Sequence, residues 1–178
     1  SVPDPTVELT AEMISYQATP GSLILEMVDR VVLGPEARFF DIGSGLGKVP
    51  LLVHLLTGAS VVGVELDAGL CSYARAQANG LGLDVGGAVR FINADAREVD
   101  YTGGDVFYLF TPFTGTILRA VLGMLAQHAR ARPPGRPITV CTHGPCTPTV
   151  AEAAWLRSMD GKVRDPFRLA VFTSAAGR

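Results

Sequence analysis

With 178 residues, 48% of them apolar, and a formal net charge of −2, the chain has the size and composition of one compact enzyme domain able to bury a single substantial core. No apolar run approaches the roughly eighteen residues of a membrane span, and no basic stretch followed by an apolar one opens the chain as a secretion signal would. The three cysteines, Cys71, Cys141 and Cys146, are an odd number without a C-x-x-C pair, which points to reduced thiols and a cytoplasmic compartment.

In chain order, Thr19-Pro20 announces a helix over 21–32 with Leu23, Met27 and Val31 along one face. Residues 1–36 read as a helical lead-in and 37–178 as the body of a single domain. Strand segments are expected near 37–42, 60–65, 89–93, 105–110 and 137–142, alternating with helices near 46–57, 68–79 and 114–130. This alternation predicts an α/β fold, a doubly wound and mostly parallel sheet with helices on both faces. Towards the end, 149–160 reads either as a helix or as a helix leading into a short strand, and 167–173 as a last strand.

The first strand runs into FFDIGSGLG, with glycines at alternate positions. Gly43, Gly45 and Gly47 permit a sharp turn and a close approach of backbone to ligand, and the amides opening the helix that starts near Leu46 are expected to face that ligand. The dinucleotide fingerprint G-x-G-x-x-G needs its third glycine at position 48, which is Lys48, and the P-loop pattern has no match. What stands instead is D-x-G-x-G-x-G, with Asp41 ahead of the loop and Glu65 ending the next strand, where a carboxylate can accept both hydroxyls of a ribose. Other readings remain for single residues. Glycines after a strand can form only a tight turn, Asp67 reads as a helix-start acid, Asp95 can cap a short turn at 96–98, and Lys48 reads as a solvated helix residue.

FFDIGSGLG, VVGVELD, RFINADARE and DVFYLFTPF, in that order, resemble the motif series of the class I, seven-strand S-adenosylmethionine-dependent methyltransferases over roughly residues 16–144. The resemblance implies a Rossmann-like fold with S-adenosylmethionine as cofactor. By it, Asp41, Gly43, Ser44 and Gly45 hold the methionine part, Glu65 the ribose, Leu66 a face of the adenine, and Asp95 with Ala96 the adenine edge. Tyr16-Gln17-Ala18-Thr19-Pro20 and DIGSGLGKV look closer to the small protein-lysine methyltransferases of this fold, the non-SET histone-lysine type and the mitochondrial ATP-synthase-subunit type. That likeness places Tyr16 and Thr19 near the cofactor carboxylate.

The resemblance also puts the acceptor beside Phe110-Thr111-Pro112-Phe113, just past the fourth strand. Enzymes that methylate amino groups of nucleobases typically show [DNS]-P-P-[YF] there, and this chain departs twice, with Thr in the first place and Phe in the third. A nucleic-acid acceptor is therefore not expected. The reading that follows is methyl transfer to an amine, a protein lysine favoured, with Tyr108, Phe110 and Phe113 stripping water so that the uncharged amine predominates. Tyr108, inside a strand, reads equally as a core aromatic. The alternatives are a catalytically silent cofactor-binding subunit, or a methyltransferase of small molecules or nucleic acid. A polyamine synthase would need acids after the fourth strand, and none is present.

Cys141-Thr142-His143-Gly144-Pro145-Cys146 gathers three zinc-ligating residue types where a closed site needs four, so no metal is expected. Pro145-Cys146 resembles the Pro-Cys element of cytosine-C5 methyltransferases only superficially, because it follows the fifth strand rather than the fourth. Charge is lopsided. Residues 114–178 hold nine bases (Arg119, Arg130, Arg132, Arg136, Arg157, Lys162, Arg164, Arg168 and Arg178) against three acids (Glu152, Asp160 and Asp165), a net +6, which leaves −8 on residues 1–113. Such a split marks either an anionic partner or solvated bases at a helix end near 130–136. With no aromatic residues interleaved among the bases, the solvated reading is preferred.

Overall fold

The computed structural model describes residues 2–83 and 86–175; Arg178, one of the nine C-terminal bases, lies outside the described residues. Along the chain come α1 (Gly21–Arg30), β1 (Arg38–Ile42), α2 (Lys48–Thr57), β2 (Ser60–Glu65), α3 (Ala68–Gly80), β3 (Val89–Asn93), a 3₁₀ turn (Ala96–Glu98), β4 (Val106–Phe110), α4 (Gly115–Ala131), β5 (Thr139–His143), α5 (Thr147–Ala151), β6 (Leu156–Ser158) and β7 (Ala170–Ser174). The strands join into one sheet in the order β3-β2-β1-β4-β5-β7-β6. The first five are mutually parallel, and β7 runs antiparallel to both its neighbours.

Adjacent residues of a strand point to opposite faces, and both faces here are apolar, which is why the strands read as unbroken hydrophobic runs. In β1, Phe40 and Ile42 pack with Phe107, Leu109 and the α4 residues Leu118, Val121 and Leu125. Phe39 faces the other way, with Tyr108 of β4, Ile24 and Met27 of α1, and Val49 and Val53 of α2. Burying one such large side chain contributes about 1.5–3 kcal/mol, so each face is a core of its own. Strand order reverses between β1 and β4, and a crevice opens there at the carboxyl ends of the strands, the place where doubly wound sheets bind ligands.

Where the expected boundaries move, the backbone shows why. Helix α2 begins at Lys48 rather than near Leu46 because Gly47 is left-handed, φ +81°. Helix α1 stops at Arg30 with Val31 extended, though Val31 stays buried as its place on the apolar face predicts. The last strand begins at Ala170 instead of 167. Asp165 Oδ1 accepts the Phe167 amide at 2.8 Å, and His143 Nε2 donates to the Phe167 carbonyl at 2.8 Å, so a turn takes the backbone groups that a ladder would need. For 149–160, the helix-then-strand alternative is the one realised, as α5 and β6. Among the described residues no helix is long and apolar enough to cross a membrane.

Candidate active site

At the carboxyl ends of β1, β2 and β4 lies a cavity lined by every candidate residue of the sequence except Gly45. From the cofactor set come Tyr16, Thr19, Asp41, Gly43, Ser44, Glu65, Leu66, Asp95 and Ala96; from the acceptor set come Phe110, Thr111, Pro112 and Phe113. Gly45 is absent because the Tyr16 ring covers it: a Cβ added at Gly45 would lie 2.2 Å from Tyr16 Cδ2.

The glycine loop differs from expectation in what its amides do. Gly43 and Ser44 both donate to the carbonyl of Val64, at 2.8 and 2.9 Å, and Gly47 donates to Ser44 O at 2.9 Å. Gly45 N donates to Glu65 Oε2 at 2.7 Å. These four amides are spent inside the protein and do not face a ligand. Space at Gly43 is likewise taken by protein, since a Cβ there would meet Pro112 Cβ at 2.3 Å. The glycines are needed all the same, because Gly43, Gly45 and Gly47 have φ of +85°, +51° and +81°, a region that other residues occupy at a cost of roughly 1–2 kcal/mol. Gly63 of β2 was not singled out in the sequence; a Cβ there would strike Phe91 and Ser44 Oγ, so its bareness lets the loop settle on the strand.

The acids differ sharply in their surroundings. Asp41 is 3% exposed and, among the described residues, accepts no hydrogen bond on its carboxylate. Burial, then the charge of Glu65, pushes its carboxyl well above the usual carboxylate range. Ser44 Oγ is also buried without a partner. Glu65 is held at both oxygens, Oε2 by Gly45 N and Oε1 by Asp67 N at 2.9 Å. Each oxygen keeps a further lone pair. Burial raises the Glu65 carboxyl, and these backbone donors oppose the rise. Asp95 lines the cavity and also caps the 3₁₀ turn, accepting Arg97 N at 2.8 Å and pairing with the Arg97 guanidinium at 2.6 Å. Tyr108 is the core aromatic that one reading expected, its ring stacked on Phe39, and its hydroxyl reaches Thr19 Oγ1 at 3.3 Å at the cavity wall. Lys48, read as a solvated residue, is exposed but donates to the Thr19 carbonyl at 2.9 Å.

In the acceptor segment Thr111 is 3% exposed with φ +29°, a left-handed conformation unusual for a β-branched residue. Its hydroxyl turns towards the next strand, donating to His143 O at 2.8 Å and accepting Cys146 N at 3.1 Å. Cys146 is thereby a buried partner of this loop, and burial raises its thiol pKa, against the nucleophile alternative. Phe110 lies edge-on to His143, ring centroids 4.6 Å apart, and Phe113 is buried and bridges to Met13.

That bridge belongs to an element that sequence reasoning missed. Residues 3–17 form a strap across the crevice, adding Pro5, Val7, Leu9, Met13 and Ile14 to the cavity wall. One end is hooked on Asp67 Oδ2, which accepts Thr6 N, Thr6 Oγ1 and Val7 N, while Asp67 Oδ1 caps α3 through Leu70 N at 2.9 Å. Asp67 is thus the helix-start acid expected and a latch as well. Burial opposes its ionisation, but the bonds from Leu70, Thr6 and Val7 outweigh it and hold the carboxyl down at about 2. At the other end Glu12 Oε2 accepts Ile117 N at 3.0 Å and Thr116 Oγ1 at 2.7 Å, capping α4 from outside, and Ile14 N donates to Pro112 O at 3.0 Å. The sequence signal for the strap was slight: three acids and two threonines in a stretch without periodicity.

The profile of the family described as histone methylation protein DOT1 matches residues 12–84, from the end of the strap through α3. No curated protein matches the chain. Among solved structures it is similar to an RNA methyltransferase from Salinibacter ruber in complex with S-adenosyl-L-homocysteine, at 21% identity over 91% of this chain and 95% of that one, TM-score 0.65. It is also similar to a SAM-dependent methyltransferase from Thiobacillus denitrificans in complex with the same molecule, at 26% identity, 68% of this chain, 48% of that one and TM-score 0.52. A geranyl diphosphate C-methyltransferase from Streptomyces coelicolor A3(2), in complex with Mg²⁺, geranyl diphosphate and S-adenosyl-L-homocysteine, matches at 20% identity, 68% of this chain, 45% of that one and TM-score 0.55. The chain spans about half the length of these last two. By its sheet order, its glycine loop between β1 and α2, and these likenesses, the chain has the fold of the class I S-adenosylmethionine-dependent methyltransferases.

Proposed function

We propose that the protein methylates an amine, a protein lysine rather than a nucleic acid or a small metabolite, in the cytoplasmic setting that its three free, buried cysteines suit. The observation that carries the cofactor half of this reading is a cavity lined by carboxylates beside a glycine loop whose amides are already spent. A phosphate needs such donors. Asp41, Glu65 and Asp95 instead suit a ligand with a cationic end, ribose hydroxyls and an amino-bearing base. When bound, S-adenosylmethionine supplies a methyl group activated on a sulfonium.

Asp41, buried and unpaired, is the counter-charge for the positive methionine end, with Gly43, Ser44 and Gly45 shaping the turn around it and Tyr16 and Thr19 beside the carboxylate of that end. Glu65 offers its remaining lone pairs to the ribose. Leu66 and Ala96 give the adenine apolar contacts, and Asp95 accepts from its amino group. Methyl transfer of this kind is an in-line displacement, so alignment and exclusion of water are what the protein contributes. On the acceptor side Met13, Phe110, Phe113 and Ile117 present apolar surface, which disfavours an ammonium and favours the neutral amine that attacks.

Two observations favour lysine over a nucleobase. The Thr111 hydroxyl is buried and turned towards His143 O and Cys146 N rather than presented to an exocyclic amino group, and the family whose profile matches the cofactor half is described by histone methylation. The solved relatives named for RNA and for geranyl diphosphate support the other acceptors. The test is Phe113→Leu, milder than a truncation because Phe113 also packs in the core. Turnover on lysine peptides should fall about tenfold or more, an energy of about 1.4 kcal/mol, with cofactor affinity unchanged by calorimetry. Equal losses in both would place Phe113 in the cofactor site instead.

A further inference from the structure

The loop between β6 and β7 stands beside the acceptor side of the cavity. Strand β7 starts opposite Thr142, at the carboxyl end of β5, so residues 159–169 lie at the same edge of the sheet as the cavity. They are fixed there by Gly144 N donating to Pro166 O at 2.6 Å and by His143 Nε2 donating to Phe167 O. His143 in turn lies against Phe110, a cavity residue.

On this base Lys162, Arg164 and Arg168 are exposed, as is Arg157 of β6. Among the described residues none of the four side chains forms an ion pair or a hydrogen bond. Of the loop's two acids, Asp160 is already paired with Arg30. Phe167, 65% exposed, stands among these bases, so an aromatic residue does accompany them once the chain is folded. The opposite flank has the other sign: the strap carries exposed Asp4 and Glu8 next to the cavity residues Pro5, Val7 and Leu9.

We propose that the β6–β7 loop docks an acidic segment of the polypeptide whose lysine enters the cavity, an inference that rests on the lysine reading above. A nucleic-acid strand crossing the mouth would carry its uniform negative charge onto Asp4 and Glu8. A polypeptide can change sign within a few residues, placing glutamates or aspartates on the loop and neutral or basic residues on the strap, and Phe167 adds an apolar contact.

The test uses the full chain with bound S-adenosylhomocysteine and reads binding by fluorescence anisotropy. The probes are a short labelled peptide with one lysine flanked on one side by glutamates, in both chain directions, the same peptides with glutamines, and a single-stranded oligonucleotide of equal charge. The acidic peptide should bind about tenfold tighter than its neutral counterpart, with the preference shrinking as salt rises. The double variant Arg164→Glu, Arg168→Glu should abolish the preference at unchanged melting temperature and cofactor affinity. Equal binding of acidic and neutral peptides, an unchanged preference in the double variant, or tighter binding of the oligonucleotide would overturn the proposal. An acidic peptide that binds but stays unmethylated when S-adenosylmethionine replaces S-adenosylhomocysteine would leave the docking surface standing and count against the lysine reading alone.

Discussion

Asp41 and Glu65 sit on neighbouring strands at one cavity, yet their environments set them different tasks. Among the described residues nothing compensates Asp41, and its folded pKa lies above its unfolded one. Its contribution to stability is therefore most favourable below the ordinary carboxylate range and declines as pH rises, reaching the full cost of a buried charge above the folded pKa. Asp41→Asn should stabilise the ligand-free protein by about 1–3 kcal/mol at neutral pH, with the gain vanishing towards about pH 4, and should weaken cofactor binding. Thermal melts across that range check it, and a pH-independent difference would remove Asp41 from this role. For Glu65, Glu65→Gln should cost on the order of 2–3 kcal/mol of cofactor affinity, because the charged acceptor shared by loop and ribose becomes an amide. Calorimetry on the folded variant measures the loss; unchanged affinity would refute the ribose assignment.

Among the elements, the strap couples the two halves of the site. It is latched on Asp67 at the start of α3 and caps α4 with Glu12, so the proposed cofactor side and the proposed acceptor side share one wall. The Asp67 carboxyl is held at about 2, below its unfolded value, so its contribution is complete above the ordinary carboxylate range and is lost only as pH falls towards 2. The latch is thus engaged throughout neutral pH. Asp67→Ala removes a helix cap together with the strap's anchor and should destabilise the protein by about 1 kcal/mol from the cap alone. It should also speed hydrogen exchange at the Thr6 and Val7 amides and raise the cofactor dissociation rate. Exchange unchanged at those two amides would mean that the strap is held from elsewhere.

Across the whole molecule, what was legible in the sequence is what a parallel sheet imposes locally. Strands buried on both faces announce themselves as apolar runs, and acids at their carboxyl ends, Asp41 and Glu65, stand out against those runs. What was not legible depends on contacts between distant segments: the Tyr16 ring over Gly45, the bareness of Gly63 under Ser44, and the strap hooked on Asp67. The loop's glycines predicted a turn, but only the fold shows that its amides are consumed by Val64 and Glu65. Likewise, Phe167 looked like part of a strand until His143 and Asp165 drew its backbone into a turn. The most direct measurement of the central assignment offers methyl-labelled S-adenosylmethionine, with the protein, to fractionated cell protein, nucleic acid and small metabolites. Label recovered as methyl-lysine after hydrolysis of the protein fraction is the expected result. Label in nucleic acid or metabolites, or none in any fraction despite tight cofactor binding, would contradict it.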